Sequence, residues 1–476
     1  MFEAALILLI PLAVGCFNTL CSRKLPPTAA WAAALTALIA ALTLSTKLYL
    51  QGGACFEASW GHGGSLAFSW LLCFDELNAA FVVLASFISL ACLTYSTKYV
   101  EHGSQLYSGL LLLFTSGMIG CLMSVDMIAF YLFWELMVWS SYALIHLYGE
   151  GAEAPRAAML YLLISHVAST TLLFGLLSLY ALKGTFNLLA VKELGLDSPL
   201  EVFAAASVSI GLLIKMGVIP LLHVWLPDAH SEAPAPVSAM LSGLMIEVAA
   251  YGFLRILYGC WSLESLRSVS WLVWGCGLAM LSYTAILSFS QLDIKRFMAY
   301  SSINEMGLVV FALGLFAHGA AVAAVAHTLN HEIVKSLLFL YAGCIVHEVK
   351  VRNIRTLGDM LWFMPEASAA GLIGSLSIIG IPGLNIFVSE LLIYMAGVDV
   401  GLLAPTVAAA VMMAVFSAAW LRFINRVMLT RRRLGRVRVS FAMLIPMFAL
   451  ALICLALGLH PDPLIEAAER AASVVS

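Results

Sequence analysis

Fourteen apolar runs, each near the length a helix needs to cross a bilayer, constrain this chain more than any other feature. They lie at roughly 2–20, 28–48, 69–96, 106–124, 126–148, 157–182, 201–225, 236–259, 268–290, 297–316, 319–346, 366–397, 404–429 and 440–460. No long soluble segment separates them, so residues 1–476 read as a single polytopic membrane domain. In hydrocarbon only helices and closed barrels satisfy their own backbone, and runs of this length predict an all-α integral membrane fold. Only 11% of the 476 residues are charged, against about 25% in a soluble domain. Runs three, eleven and twelve are long enough to tilt or break. The stretches 49–68 (rich in Gly, Ser, His and Trp) and 183–200 read as loops. Met1-Phe-Glu-Ala lacks a basic leader, so the first run is expected to be a retained helix.

Orientation follows from lysine and arginine in alternating loops. One side collects Arg23, Lys24, Lys98, Arg156, Lys295, Arg296, Lys350, Arg352, Arg355 and the seven arginines from Arg422 to Arg438. The other holds Lys47, Lys183, Lys192, Arg255, Arg267 and Arg470. The first side is expected to be cytoplasmic, with both termini outside. The run from Arg431 to Arg438 reads as part of this membrane anchor, not a nucleic-acid patch. A net charge of -3 also gives no reason to invoke nucleic acid.

Lys215 and Lys335 remain inside the membrane. Lys215 lies in Gly211-Leu-Leu-Ile-Lys215-Met-Gly-Val-Ile-Pro220 on run seven. A charge in lipid is expensive and usually marks an ion path. The proline that follows breaks the helical ladder. Run twelve repeats the pattern in Gly380-Ile-Pro382-Gly383-Leu-Asn385 and continues to Glu390. The two breaks lie five runs apart, an odd step, so the two helices run in opposite senses. Paired interrupted helices point to an inverted-repeat transporter. Runs four to eight and nine to thirteen are the expected units, with 126–259 holding most of the first and 268–429 the second.

Other charges lie at membrane depth. Glu135 sits in Phe-Trp-Glu135-Leu-Met on run five, and Glu247 in Met-Ile-Glu247-Val-Ala on run eight. A carboxylate there costs several kcal/mol unless protonated or paired, and Glu135 with Lys215 is a candidate pair. Glu305 on run ten belongs either with these acids or with the helix end, reaching Lys295 or Arg296. On run eleven, His327, His331 and Lys335 fall on one helix face. Such a stripe suits a proton wire, because imidazole both donates and accepts near neutral pH. It does not suit a metal: a third ligand is lacking and Lys335 would repel the cation. His166 reads as a packed histidine. His223, Asp228, His230 and Glu232 are expected to shape a cytoplasmic mouth.

Ten cysteines are scattered without a C-x-x-C pair, so no iron–sulfur or zinc framework is expected. The chain has no P-loop and no G-x-G-x-x-G cradle, and its histidines do not suggest haem. No cofactor and no redox centre are expected. Energy must come from an ion gradient or a partner protein.

The sequence resembles the antiporter-like membrane subunits of respiratory complex I, which are related to Mrp-type cation/proton antiporters and to subunits of energy-converting hydrogenases and formate hydrogenlyase. The resemblance rests on Trp134-Glu135, Lys215 to His230, Ala233 to Gly243, Asp293 to Ser302, His327-Thr-Leu-Asn-His331, Lys335 to Phe339 and Gly380 to Glu390. It covers nearly the whole chain and is strongest over 126–395.

It implies fourteen helices in two inverted five-helix repeats, with helices seven and twelve broken. It implies that Glu135 and Lys215 form the input pair, that His327, His331 and Lys335 belong to a hydrated central axis, and that Glu390 lies at the exit. Glu390, where some relatives have lysine, is similar to the subunit next to the distal one and to hydrogenase-type subunits. The sequence ends soon after run fourteen, so it is expected to lack the long lateral helix of distal subunits. One departure stands out: the family usually carries lysine where this chain has Glu247. Glu305 and Glu332 add further acid to the region.

The implied function is that of an ion-translocating subunit in a translocase. It would move protons or Na⁺ while other membrane subunits and a redox arm transfer electrons. The alternatives are an Mrp-like secondary antiporter and a non-redox coupling subunit, as in inorganic-carbon uptake. The expected location is the inner (plasma) membrane.

Overall fold

The computed structural model describes residues 2–63, 66–220, 222–431 and 435–475. Gly64 and Ser65 of the stretch 49–68, Leu221 of the Lys215 motif, and Arg432 and Arg433 of the basic run lie outside the described residues.

The chain opens with α1 (Phe2–Leu20) and α2 (Pro27–Gln51), then β1 (Ala54–Gly63) and β2 (Leu66–Phe74). Next come α3 (Ala79–Tyr99), α4 (Ser104–Met123), α5 (Met127–Tyr148), α6 (Ala154–Lys183), α7 (Pro199–Lys215), α8 (Trp225–Glu232) and α9 (Ala235–Tyr258). After these run α10 (Ser270–Ser288), α11 (Ile294–Leu313), α12 (His318–Val349), α13 (Pro365–Ser377), α14 (Asn385–Asp399), α15 (Leu403–Leu429), α16 (Phe441–Leu459) and α17 (Asp462–Ser473).

Among the described residues, α1 to α6, α9, α10, α15 and α16 are long and apolar enough to cross a membrane. The remaining expected runs fall on α7–α8, α11, α12 and α13–α14, which are the broken helices and the helices with buried charge. Interruption and charge are what lower their apparent hydropathy, and both belong to the site described below.

Both breaks have a local cause. Ser198 caps α7 in a capping box with Glu201, and α7 stops at Lys215. Gly217 then takes φ +83°, a left-handed conformation that glycine adopts without Cβ strain. In the second half α13 stops at Ser377, Gly380 takes φ +76° and Gly383 φ +92°, and α14 resumes at Asn385.

The halves share smaller details. Asp126 caps α5 by accepting from Ile128 N and Ala129 N, and its chain meets Asn187 through Met127 N to Phe186 O (2.9 Å) and Leu188 N to Val125 O (2.8 Å). Asp293 caps α11, and its chain meets Asn353 through Ile294 N to Arg352 O (2.9 Å) and Ile354 N to Leu292 O (2.7 Å). Asn187 then turns back on Leu189 N, and Asn353 on Arg355 N, both at 2.9 Å. The register of Asp126 and Asp293 carries Trp134 onto Ser301, and that of Asn187 and Asn353, one residue shorter, carries Ser169 onto Lys335. Trp134 Nε1 donates to Ser169 Oγ at 3.2 Å, and Lys335 Nζ donates to Ser301 Oγ. The path α5, α6, α7–α8, α9 and α10 joins the first set to the second. An odd number of passages leaves the two sets at opposite ends of the bundle.

At the centre of the bundle stand α9 and α12. Every residue of α12 from Ala320 to Ile345 is buried, so its polar stripe meets neighbouring helices, not lipid. Two π-helical turns, Leu241–Met245 and Phe253–Tyr258, flank Glu247 on α9, a distortion common at functional sites.

Several expectations need correction. The stretch 49–68 is not a loop: 54–63 pairs antiparallel with 66–74, so α3 begins at Ala79 and not near 69. Glycine and serine at its middle obscured the strand residues that flank them. The cysteines are not all isolated: Cys55 and Cys73 face each other across the hairpin in a disulfide. Arg255 is no loop cation. It lies within α9, 2% exposed, and donates to both oxygens of Asp75 at 2.7 and 2.6 Å. A short amphipathic helix, α17, follows α16 and buries Leu464, Ala467, Ala468, Ala471 and Ala472.

Candidate functional site

The last residue of α7 is Lys215, only 1% exposed. Its Nζ donates to Tyr161 Oη at 3.0 Å and Ser165 Oγ at 3.1 Å, both on α6. It also sits 4.6 Å from the Tyr161 ring centre and 5.4 Å from that of Trp225, a cation–π contact strengthened by desolvation. Trp225 is held by its Nε1 donating to Ile214 O at 3.3 Å. The break therefore lets one helix supply the ammonium while its continuation supplies an aromatic wall.

Glu135 is not hydrogen-bonded to Lys215. Its Oε2 lies 3.7 Å from His166 Nε2, and Tyr131 hydrogen-bonds to the same carboxyl. Lys215 and Glu135 act on each other through the field between them. His166, expected only to fill space, thus belongs to the acid's surroundings. The pair is partly open: the side chains of His166 and Glu135 are 39% and 20% exposed.

The second group is wholly buried. His331 Nδ1 is hydrogen-bonded to Glu247 Oε1, joining α12 to α9. One turn away, His327 Nε2 lies 3.0 Å from Glu305 Oε2 on α11, and its Nδ1 lies 3.1 Å from Ser389 Oγ on α14. Glu305 therefore joins the central acids and does not reach Lys295 or Arg296. Asn330 Nδ2 donates to Ser389 Oγ (3.1 Å) and Asn385 O (2.8 Å), while Asn385 Nδ2 donates to Asn330 Oδ1 (2.9 Å). Ser377, at the end of α13, donates to Asn385 Oδ1 at 2.6 Å. Polar side chains thus tie the second broken helix to the histidine face. Glu390 is next to Ser389, and a Cβ on Gly380 would fall 2.6 Å from its Oε2. Glycine at 380 both allows the turn and leaves room for the carboxyl.

Glu247, Glu305, Glu332 and Glu390 each keep one buried oxygen without a hydrogen-bond partner. Among the described residues no group of three or more His, Cys, Asp or Glu could hold a metal ion.

A third group closes one end of the bundle. Lys295, fully buried, donates to Glu150 Oε2 (2.5 Å) and Ala233 O (2.8 Å). Arg352 reaches Glu150 (3.1 Å) and Glu232 (3.2 Å), and Arg296 reaches Asp228 (2.8 Å). The first half supplies the acids and the second the bases. Burial alone would raise the Glu150 carboxyl, but Lys295, Tyr99 and Arg352 hold it below the usual carboxylate value. Its stabilisation is therefore present at neutral pH and lost as pH falls through that lowered value. Removing one partner of a buried pair costs about 3 kcal/mol or more. Lys295→Met should thus lower the thermal midpoint of the purified protein at pH 7, and much less at pH 3. An equal loss at both values would contradict the pairing.

Residue-by-residue reading missed Tyr161, Ser165, Ser389 and the His327–Glu305 contact, and gave Asn330 and Asn385 no partners. A usable signal existed for two of them. Shifting α6 onto α12 in the register that relates Asn187 to Asn353 places Tyr161 over His327 and Ser165 over His331.

Comparison with known proteins follows this geometry. The family described as NADH:quinone oxidoreductase/Mrp antiporter, transmembrane region, matches residues 124–417. The chain belongs to this family. NADH-quinone oxidoreductase subunit M of Escherichia coli K12 is 28% identical over 464 residues, covering 90% of this chain and 89% of that protein. NAD(P)H-quinone oxidoreductase chain 4 1 of Synechococcus sp. JA-2-3B'a(2-13) is 32% identical over 344 residues, 72% of this chain and 64% of that one. Among solved structures, a chain of the membrane-bound sulfane sulfur reductase, an archaeal respiratory membrane complex, superposes with TM-score 0.90 at 25% identity, covering 99% of this chain and 97% of that one. A chain of the Mrp complex of Dietzia sp. DQ12-45-1b gives 0.89 at 24% identity over 100% and 98%, a likeness of fold. The all-α membrane architecture and the antiporter-like family resemblance stand.

Proposed function

We propose that this chain is the proton-translocating membrane subunit of a multisubunit respiratory or hydrogenase-type complex, in which other subunits carry the redox chemistry. The observation that carries this reading is the set of buried titratable groups that begins at Lys215 on the first broken helix, includes Glu247 on α9, His331 and His327 on α12 and Glu305 on α11, and ends at Glu390 on the second broken helix. Buried ionisable groups in a membrane bundle are costly and are kept for ion movement. Electron transfer in the partner perturbs the field at Glu135, and Lys215 responds by exchanging a proton. The proton passes through Glu247 and His331 to His327, with Lys335 holding Ser301 beside them, and leaves by Glu390.

The relatives are named as parts of quinone oxidoreductases, and the solved neighbours as parts of membrane complexes, which supports partners for this chain as well. An epitope tag on the chain should therefore recover further membrane subunits and a redox subunit after mild detergent extraction. Recovery of the chain alone, with gradient-driven cation exchange after reconstitution, would favour a secondary antiporter instead.

Fourteen crossings in two inverted units, 126–259 with α4 before it and 268–429, complete the proposed arrangement. It places the hairpin and both termini outside the plasma membrane. A disulfide persists in oxidising surroundings, and Cys55–Cys73 favours this sidedness. In intact cells an impermeant thiol reagent should label Cys55 only after an impermeant reductant is added. Labelling of Cys55 only after the cells are opened would reverse the orientation.

A further inference from the structure

We infer that Glu305 is a proton carrier that takes the proton from His327 and delivers it to Glu390, an addition to the relay that rests on the proton-translocating reading above. Three observations support it. Glu305 is 0% exposed on α11, and Oε2 lies 3.0 Å from His327 Nε2. Its Oε1 is buried and has no hydrogen-bond partner among the described residues. Glu390 on α14 lies within its field and also keeps an unpartnered buried oxygen, Oε1. The His327 ring is fixed on its other side by Ser389, the residue before Glu390. Imidazole and the two carboxyl groups thus come from three helices and meet beside the second break.

Glu305 makes no ion pair with lysine or arginine among the described residues. Lys335 of α12 donates to Ser301 and Met298 O, one or two turns along α11. The charged and titratable groups facing Glu305 are His327 and Lys335 from α12, Glu247 from α9, and Glu390 with Tyr394 from α14. A buried carboxylate so placed must share a proton with its surroundings.

The step balances without a co-reactant. Protonated His327 gives the hydrogen on Nε2 to Glu305 Oε2. An N–H bond breaks and an O–H bond forms, leaving neutral imidazole and a carboxylic acid. The acid then passes its proton to the Glu390 carboxylate and returns to the anion. His327 is reloaded from His331, one turn away on the same face of α12.

The test uses the whole complex in inside-out vesicles, with acidification read per electron transferred. Glu305→Gln keeps the size of the side chain but cannot release a proton. It should lower acidification by at least about tenfold in an assembled complex, while Glu305→Asp retains a substantial part. Acidification by Glu305→Gln within twofold of wild type, in vesicles where Lys215→Met abolishes it, would overturn the role of Glu305 alone. If Lys215→Met also leaves acidification intact, the proton-translocating reading itself fails. Should Glu305→Gln not assemble, Glu305→Asp decides. A displaced pH profile of acidification supports a carrier, and an unchanged profile marks a positioning residue and overturns the proposal.

Discussion

Replacing Lys215 with methionine should abolish proton translocation while leaving the complex assembled. Methionine keeps the length of the side chain and removes its only charge. The Tyr161 hydroxyl keeps a partner after the loss, because its Oη remains hydrogen-bonded to Ser141 Oγ at 2.6 Å. The Tyr161 and Trp225 rings that flank the ammonium can close on a thioether. What disappears is the buried ammonium whose field reaches Glu135. Electron transfer should continue, while vesicle acidification per electron falls by at least about a hundredfold. Unchanged acidification would contradict proton translocation by this chain.

Glu247→Gln should have the next largest effect. The carboxylate stands where the family usually has lysine, which reverses the sign of the central site. The structure pairs it with His331. Carboxylate and imidazole can hold one proton between them, so a couple that is neutral when loaded and anionic when empty stands in the place of a lysine that is cationic when loaded. Glutamine preserves the contact with His331 Nδ1 but fixes its hydrogen-bonding pattern. Acidification should drop by at least about tenfold, with little change in thermal midpoint. Full pumping would make Glu247 a structural residue.

Much of this site was legible in the sequence because its members violate the apolar pattern around them. Lys215, Glu135, Glu247 and the His327–His331–Lys335 stripe are conspicuous in hydrocarbon, and the breaks announce themselves through Gly217–Pro220 and Gly380–Pro382. The partners were not legible. Whether Glu135 meets Lys215 or His166 depends on how α5, α6 and α7 rotate against one another, and apolar helices carry little periodicity to fix that rotation. The same holds for Glu305: its distance along α11 suited either a helix-end ion pair or the core, and only the packing of α11 against α12 decides. Ser389, Asn385 and Ser377 escaped notice because small polar residues in membrane helices often bond their own backbone, as Ser375 does to Gly371 O at 2.7 Å. The hairpin was hidden for another reason. Its glycine- and serine-rich middle masks the strand residues on either side, and the disulfide that joins them cannot be deduced from spacing alone.

The internal register offers a way past this difficulty. Asn187 and Asn353 follow equivalent helices, α6 and α12, and their relation places Tyr161 and Ser165 on the positions of His327 and His331. In the first half those positions cradle an ammonium from the broken helix. In the second they are themselves the titratable groups. One scaffold thus holds a cation in one half and a histidine–carboxylate relay in the other.

The most direct measurement is acidification of liposomes containing the purified wild-type complex, started with its electron donor in nominally sodium-free buffer. The expected result is interior acidification that needs no added Na⁺ and collapses on addition of a protonophore. Protonophore-resistant uptake of Na⁺, with no acidification when Na⁺ is withheld, would contradict proton translocation by this chain.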